Sequence, residues 1–150
     1  VMKKLLLLLI LIPNLAMSDV IDLSCRAEIE EVRCTASGSC TTKNNSQLAS
    51  LTIYIKEPDY LAIEFSASSL PQGWGSEIVM ESESANISKQ KLSLNARAMG
   101  GGNMYSDSME IDRTTGRLLI NRKVDIPKTG NITFKIFSLC EKIENSKQKF

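Results

Sequence analysis

The chain has 150 residues, with 18 lysines and arginines against 17 aspartates and glutamates, four cysteines and no histidine. That length fits one domain, and a formal charge of +1 with no basic block offers no electrostatic footprint for DNA or RNA. The absent histidine removes Ser-His-Asp and Cys-His nucleophile activation, histidine metal sites and the usual general base near neutral pH, so a non-catalytic protein is the expectation.

Residues 1–18, VMKKLLLLLILIPNLAMS, run from a basic start at Lys3 and Lys4 through an apolar stretch, Leu5 to Ile12, to small residues at Ala16 and Ser18. This is the layout of a secretory signal peptide, with cleavage expected between Ser18 and Asp19. The apolar run is far shorter than the ~20 residues that span a bilayer, and Pro13 ends it, so no integral membrane segment is expected after cleavage. Leu23-Ser24-Cys25 is not a lipobox, because the position three before the cysteine is Asp22 and the apolar run lies too far upstream. Cleavage removes Lys3 and Lys4, leaving 16 basic against 17 acidic residues and a net charge of −1. A periplasmic or secreted location follows as the expectation.

Export puts the cysteines in an oxidising compartment. Cys25, Cys34, Cys40 and Cys140 permit three pairings, and the small loop TASGS between Cys34 and Cys40 makes a local bridge easy. The expected pairs are therefore Cys34–Cys40 and Cys25–Cys140. Neither the cysteine spacing nor the rest of the chain supports a metal site, and no cofactor is expected.

The remaining pattern is that of strands. Ile21, Leu23, Cys25, Ala27 and Ile29 alternate with Asp22, Ser24, Arg26 and Glu28, the period of a strand with one buried face. Alternation returns at Leu51 to Ile55 and at Leu61 to Phe65, with Glu57-Pro58-Asp59 between them as a hairpin turn. The loop from Ser66 to Ser76 carries Trp74 between Gly73 and Gly75, an aromatic placed to touch a ligand or partner or to cover one end of the core. Further strands are expected over Glu77 to Glu83 and over Lys91 to Met99, with Leu92, Leu94, Ala96 and Ala98 inward. Gly100 to Gly102 reads as a flexible connection, and Tyr105 just beyond it joins the candidate contact loop. Strands follow over Ser108 to Asp112, Arg117 to Asp125 and Ile132 to Cys140; Gly116 and Gly130 supply the positive φ of their turns. Carboxylates such as Asp59, Glu64, Asp107, Glu110 and Asp112 read as solvated strand faces. Ser88-Lys89-Gln90-Lys91, Ser106-Asp107-Ser108 and Lys128-Thr129-Gly130 echo penicillin-binding-protein motifs, but in a chain about half that size and outside the required helix and strand. Residues 141–150 read as a polar tail.

About eight short strands at hairpin spacing, without a helical window, predict an all-β domain over residues 19–140: a single antiparallel meander closing into a small barrel or sandwich. If the first and last strands are neighbours, a Cys25–Cys140 bridge clamps the closure.

The early cysteines Cys25, Cys34 and Cys40, the IDRTTGRL turn and the C-terminal strand ending in LCEK resemble small exported proteobacterial proteins of unknown function. That resemblance implies a periplasmic β protein and supplies no activity. A second similarity is to periplasmic lysozyme inhibitors, small β-barrels with a disulfide joining the terminal regions. The expected function is thus a non-catalytic module binding a small ligand or an extracytoplasmic protein. An inhibitor of an extracytoplasmic enzyme, inserting the loops around Trp74 and Tyr105, is the alternative, and a hydrolase the less favoured one.

Overall fold

The computed structural model describes residues 18–68, 70 and 77–143. Residues 1–17 of the expected leader, 69 and 71–76 of the expected Ser66 to Ser76 loop with Trp74, and 144–150 of the expected tail lie outside these described residues; Glu141 and Lys142, expected in the tail, instead complete the last strand. Nine strands follow one another: β1 Ser18–Thr35, β2 Cys40–Lys56, β3 Tyr60–Ala67, β4 Glu77–Ser82, β5 Asn86–Ile87, β6 Lys91–Gly100, β7 Asn103–Asp112, β8 Arg117–Ile126 and β9 Gly130–Lys142. They form one antiparallel sheet in the order β4-β3-β2-β1-β9-β8-β7-β6-β5, curled into an open half-barrel. Turns of two to four residues join β1 to β2, β2 to β3, β5 to β6, β6 to β7, β7 to β8 and β8 to β9; β3 connects to its neighbour β4 through residues 68–76, and β1 pairs with β9 without a direct connection. The first strand lies in the middle of the sheet, β2 to β4 build outward on one side, the chain crosses to the opposite edge at β5, and it returns strand by strand until β9 pairs with β1. β4 also comes close to β6 as the sheet curls, bringing the two edges toward each other.

The alternation expected for the first strand is the one observed. Ile21, Leu23, Cys25, Ala27 and Ile29 are all buried on the concave face, while the intervening residues are exposed. Leu51, Ile53 and Ile55 of β2 and Leu61, Ile63 and Phe65 of β3 continue that face, as do Phe134 and Ile136 of β9. Each fully buried Leu, Ile or Phe contributes about 1.5–3 kcal/mol of transfer free energy, so the concave apolar face is the dominant stabilising element. The strands extend further than hydrophobic alternation indicated. Residues 40–48 of β2 are almost entirely polar, yet they pair with β1 from Cys34–Cys40 onward in unbroken register. β5, with only two residues, also carries no readable pattern. Ala98, expected inward, is exposed at the far end of β6, whereas Ala96 packs against the core.

Both expected disulfides form. Cys25 lies directly opposite Cys140 across β1 and β9, and Cys34 directly opposite Cys40 across β1 and β2. Cys25 is on the concave parity of β1 and Cys34 on the convex one, so the bridges staple opposite faces of the same strand. No described cysteine is free. Two disulfides are consistent with an oxidising, extracytoplasmic location.

The turns follow the glycine chemistry of the sequence. Gly101 and Gly102 have φ of 57° and 79°, which makes the β6–β7 connection a tight two-residue hairpin of the I′ kind; the flexible link expected there is not what forms. Gly116, at φ 75°, closes the β7–β8 turn: its N–H donates to the Asp112 carbonyl at 2.8 Å, and its own carbonyl accepts from Cys140 at 2.9 Å. A Cβ at this position would drive into the Cys140 carbonyl oxygen, which is backbone and has no room to move. Gly116→Ala therefore costs left-handed strain plus displacement of β9, about 2–3 kcal/mol, read as a lowered urea midpoint at unchanged slope. In the same turn the Asp112 carboxylate accepts N–H bonds from Thr114 and Thr115 at 2.8 and 2.9 Å. The Thr115 bond first, and then that of Thr114, hold its pKa below the ordinary 3.8. The carboxylate's contribution is thus complete above 3.8 and is lost as the pH falls through the depressed folded-state value. In Asp112→Asn the acid limb of the stability profile below that pH becomes shallower, a difference that acid titration followed by circular dichroism measures.

Candidate functional site

The concave face changes character along the strands. Beyond Ile29 the next inward positions of β1 are Glu31 and Arg33; beyond Ile120 on β8 comes Arg122; beyond Met109 on β7 come Asp107 and Tyr105. Register gathers them. Glu31 lies opposite Phe134, Phe134 opposite Arg122, and Arg122 opposite Asp107, in one row across β1, β9, β8 and β7. The adjacent row carries Arg33, Ile132, Val124 and Tyr105. Strand pairing alone therefore places four charges and a phenol on the inner surface, where the sheet's parity would otherwise place core.

Their contacts are specific. Arg122 holds Asp107 in a bidentate fork, Nε to Oδ1 and Nη2 to Oδ2, both at 2.6 Å. The two side chains are only 13% and 8% exposed. The guanidinium carbon of Arg122 sits 5.9 Å from the Tyr105 ring centroid, within cation–π range. Nη2 also reaches the Val79 carbonyl of β4 at 3.4 Å, linking β8 to the far side of the half-barrel. Arg33 pairs with Glu31, which is buried at 5% exposure. Paired, hydrogen-bonded ions are the form in which charge is retained away from water, because an isolated one costs several kcal/mol. A cleft of about 430 Å3 on the β6–β7 ladder is lined mainly by Asn95, Arg97, Ser106 and Ser108, whose parity is convex, so it opens on the face opposite the row.

Of the residues expected to form a contact loop, Tyr105 belongs to this inner cluster, while Gly73, Trp74 and Gly75 lie outside the described residues. Asp107, read from sequence as a solvated carboxylate, faces inward because its parity on β7 is that of Met109 and Ile111. Sequence reasoning missed Glu31, Arg33 and Arg122. The signal was present: each continues an apolar alternation by two or more positions with a charge in the core slot. The penicillin-binding-protein echo dissolves in the fold. The Ser88 hydroxyl is hydrogen-bonded to the Lys91 backbone, the Lys91 ammonium pairs with Glu110 at 3.1 Å, and Lys128 occupies the β8–β9 turn.

Among the described residues no group of His, Cys, Asp or Glu is arranged to hold a metal ion, and no helix is long and apolar enough to cross a membrane. Comparison of the chain with protein-family models, with curated proteins and with solved structures finds no match.

Proposed function

We propose that the protein is an exported, non-catalytic binding domain that takes a small polar ligand against the charged inner row of its half-barrel. The observation that carries this reading is the Arg122–Asp107 fork with Tyr105 beside it, on a concave face whose parity calls for core. Ligand sites of this kind combine apolar surface with a few convergent polar groups, and the row here is backed by the buried core residues Phe134, Ile120 and Met109. The signal-peptide layout and the two disulfides support passage into the periplasm or beyond, with the mature chain starting at Asp19. The reach of Arg122 to β4 supports closure of the half-barrel toward a barrel when the site is filled.

Native mass spectrometry of the protein recovered from the periplasm tests both parts. A polypeptide mass starting at Asp19 and a non-covalent adduct lost in Tyr105→Ala, with the circular dichroism spectrum unchanged, is the expected result. An adduct-free wild-type protein that instead captures an extracytoplasmic enzyme and suppresses its turnover overturns the small-ligand reading in favour of an inhibitor.

A further inference from the structure

The convex face of the sheet is not uniformly polar. Phe137 and Leu139, both on the outward parity of β9, are 52% and 49% exposed at the centre of the sheet. Register assembles a patch around them. One row across the strands holds Leu48, Arg26, Leu139 and Arg117; two residues further along, the next outward row holds Ser46, Glu28, Phe137 and Leu119. One row is thus basic and apolar, the neighbouring row acidic and apolar, and each strand contributes one residue to both.

This arrangement is complementary to itself. A two-fold axis lying across the strands, midway between the rows, carries each row onto the other in the facing copy. Arg26 then meets Glu28 of the second copy on the same strand, and Leu139 meets Phe137 of the second copy, each contact occurring twice. We propose that this convex patch is an isologous interface, and that the occupant is a second copy of the chain, packed sheet against sheet with β1 and β9 at the centre. An isologous contact needs a surface that answers its own rotated image, and the alternation of Arg26 with Glu28 beside Leu139 with Phe137 supplies it. Exposed aromatic and aliphatic side chains at the middle of a sheet with charges around them have the composition of an interface centre and rim. The patch lies on the face opposite the charged inner row, so pairing leaves the concave site open in both copies.

Sedimentation velocity of the oxidised, exported protein over a concentration series tests the proposal. The expected result is a monomer–dimer equilibrium that Phe137→Asp abolishes. Arg26→Glu alone and Glu28→Arg alone each raise the dimer dissociation constant roughly tenfold, because every dimer contains two such pairs and each reversal turns both attractions into repulsions. The combined Arg26→Glu and Glu28→Arg exchange restores the wild-type constant, since the swapped patch is again its own complement. These side chains are exposed, and an unchanged urea midpoint at concentrations where the protein is monomeric confirms that folding is intact. A wild-type protein that stays monomeric to its solubility limit, a dimer indifferent to Phe137→Asp, or a charge exchange that fails to restore association each overturns the proposal.

Discussion

Replacing Cys25 and Cys140 together by alanine is expected to lower the unfolding free energy by about 4–5 kcal/mol, against about 2 kcal/mol for the corresponding replacement of Cys34 and Cys40. The ratio follows from the chain each bridge closes. Their sequence separations are 115 and 6 residues, and the chain entropy removed from the unfolded ensemble grows with the logarithm of that length. Position adds a second reason. The β1–β9 pairing is the junction between the two halves of the sheet, β4 to β1 on one side and β9 to β5 on the other, and the longer bridge sits inside that junction. Both of its sulfurs are buried in the core, so alanine leaves a small apolar gap and no unsatisfied polar group. Urea unfolding of the two double variants measures the difference. Equal losses would show that the unfolded chain already keeps β1 near β9, and that the loop-entropy account does not describe this protein.

The second large effect concerns the inner ion pair. Asp107→Ala leaves the Arg122 guanidinium without its two shortest bonds, on a side chain only 13% exposed, and costs about 3 kcal/mol. Replacing both partners by apolar residues, Asp107→Leu with Arg122→Met, is expected to recover most of that loss. The penalty in the single variant comes from an uncompensated charge, while the intact pair gives back little more than its own desolvation. A thermodynamic cycle over the single and double variants isolates the coupling. If the apolar pair is as unstable as Asp107→Ala, the fork is a structural clamp, and its tie through Arg122 to the Val79 carbonyl is what the domain needs. If the apolar pair is stable yet carries no adduct in the mass spectrum, the charges serve recognition and not folding.

Much of the fold was legible because burial on one face of a strand forces period two. Ile21 to Ile29, Leu61 to Phe65 and Phe134 to Ile136 each show it, and Gly116 and Gly130 mark turns whose positive φ excludes other residues at low cost. The disulfide partners were legible for a different reason, since a six-residue separation made one pair local and left the other. The stretch from Cys40 to Leu48 was not legible. Its strand conformation comes from hydrogen bonding to β1 and from the Cys34–Cys40 bridge, not from any face of its own. The inner charged row was hidden by a related effect. Asp107 and Arg122 are 15 residues apart in sequence, and only register across β7 and β8 makes them neighbours; composition around either one describes an ordinary wet strand. The convex patch is equally a product of register, because Arg26 and Leu139 stand at opposite ends of the chain.

The central place of β1 has a consequence for how the chain matures. Of the nine strands it is the first to be synthesised, yet one of its two hydrogen-bonding edges waits for β9, the last of them. Until then Cys25 has no native partner, while Cys34 and Cys40 lie within the same hairpin. Early closure of the hairpin bridge removes the two thiols that compete for Cys25 and keeps it unspent until Cys140 arrives. The small disulfide thus guards the order in which the large one is made, and a chain lacking Cys34 alone accumulates a misbridged Cys25–Cys40 species during oxidation.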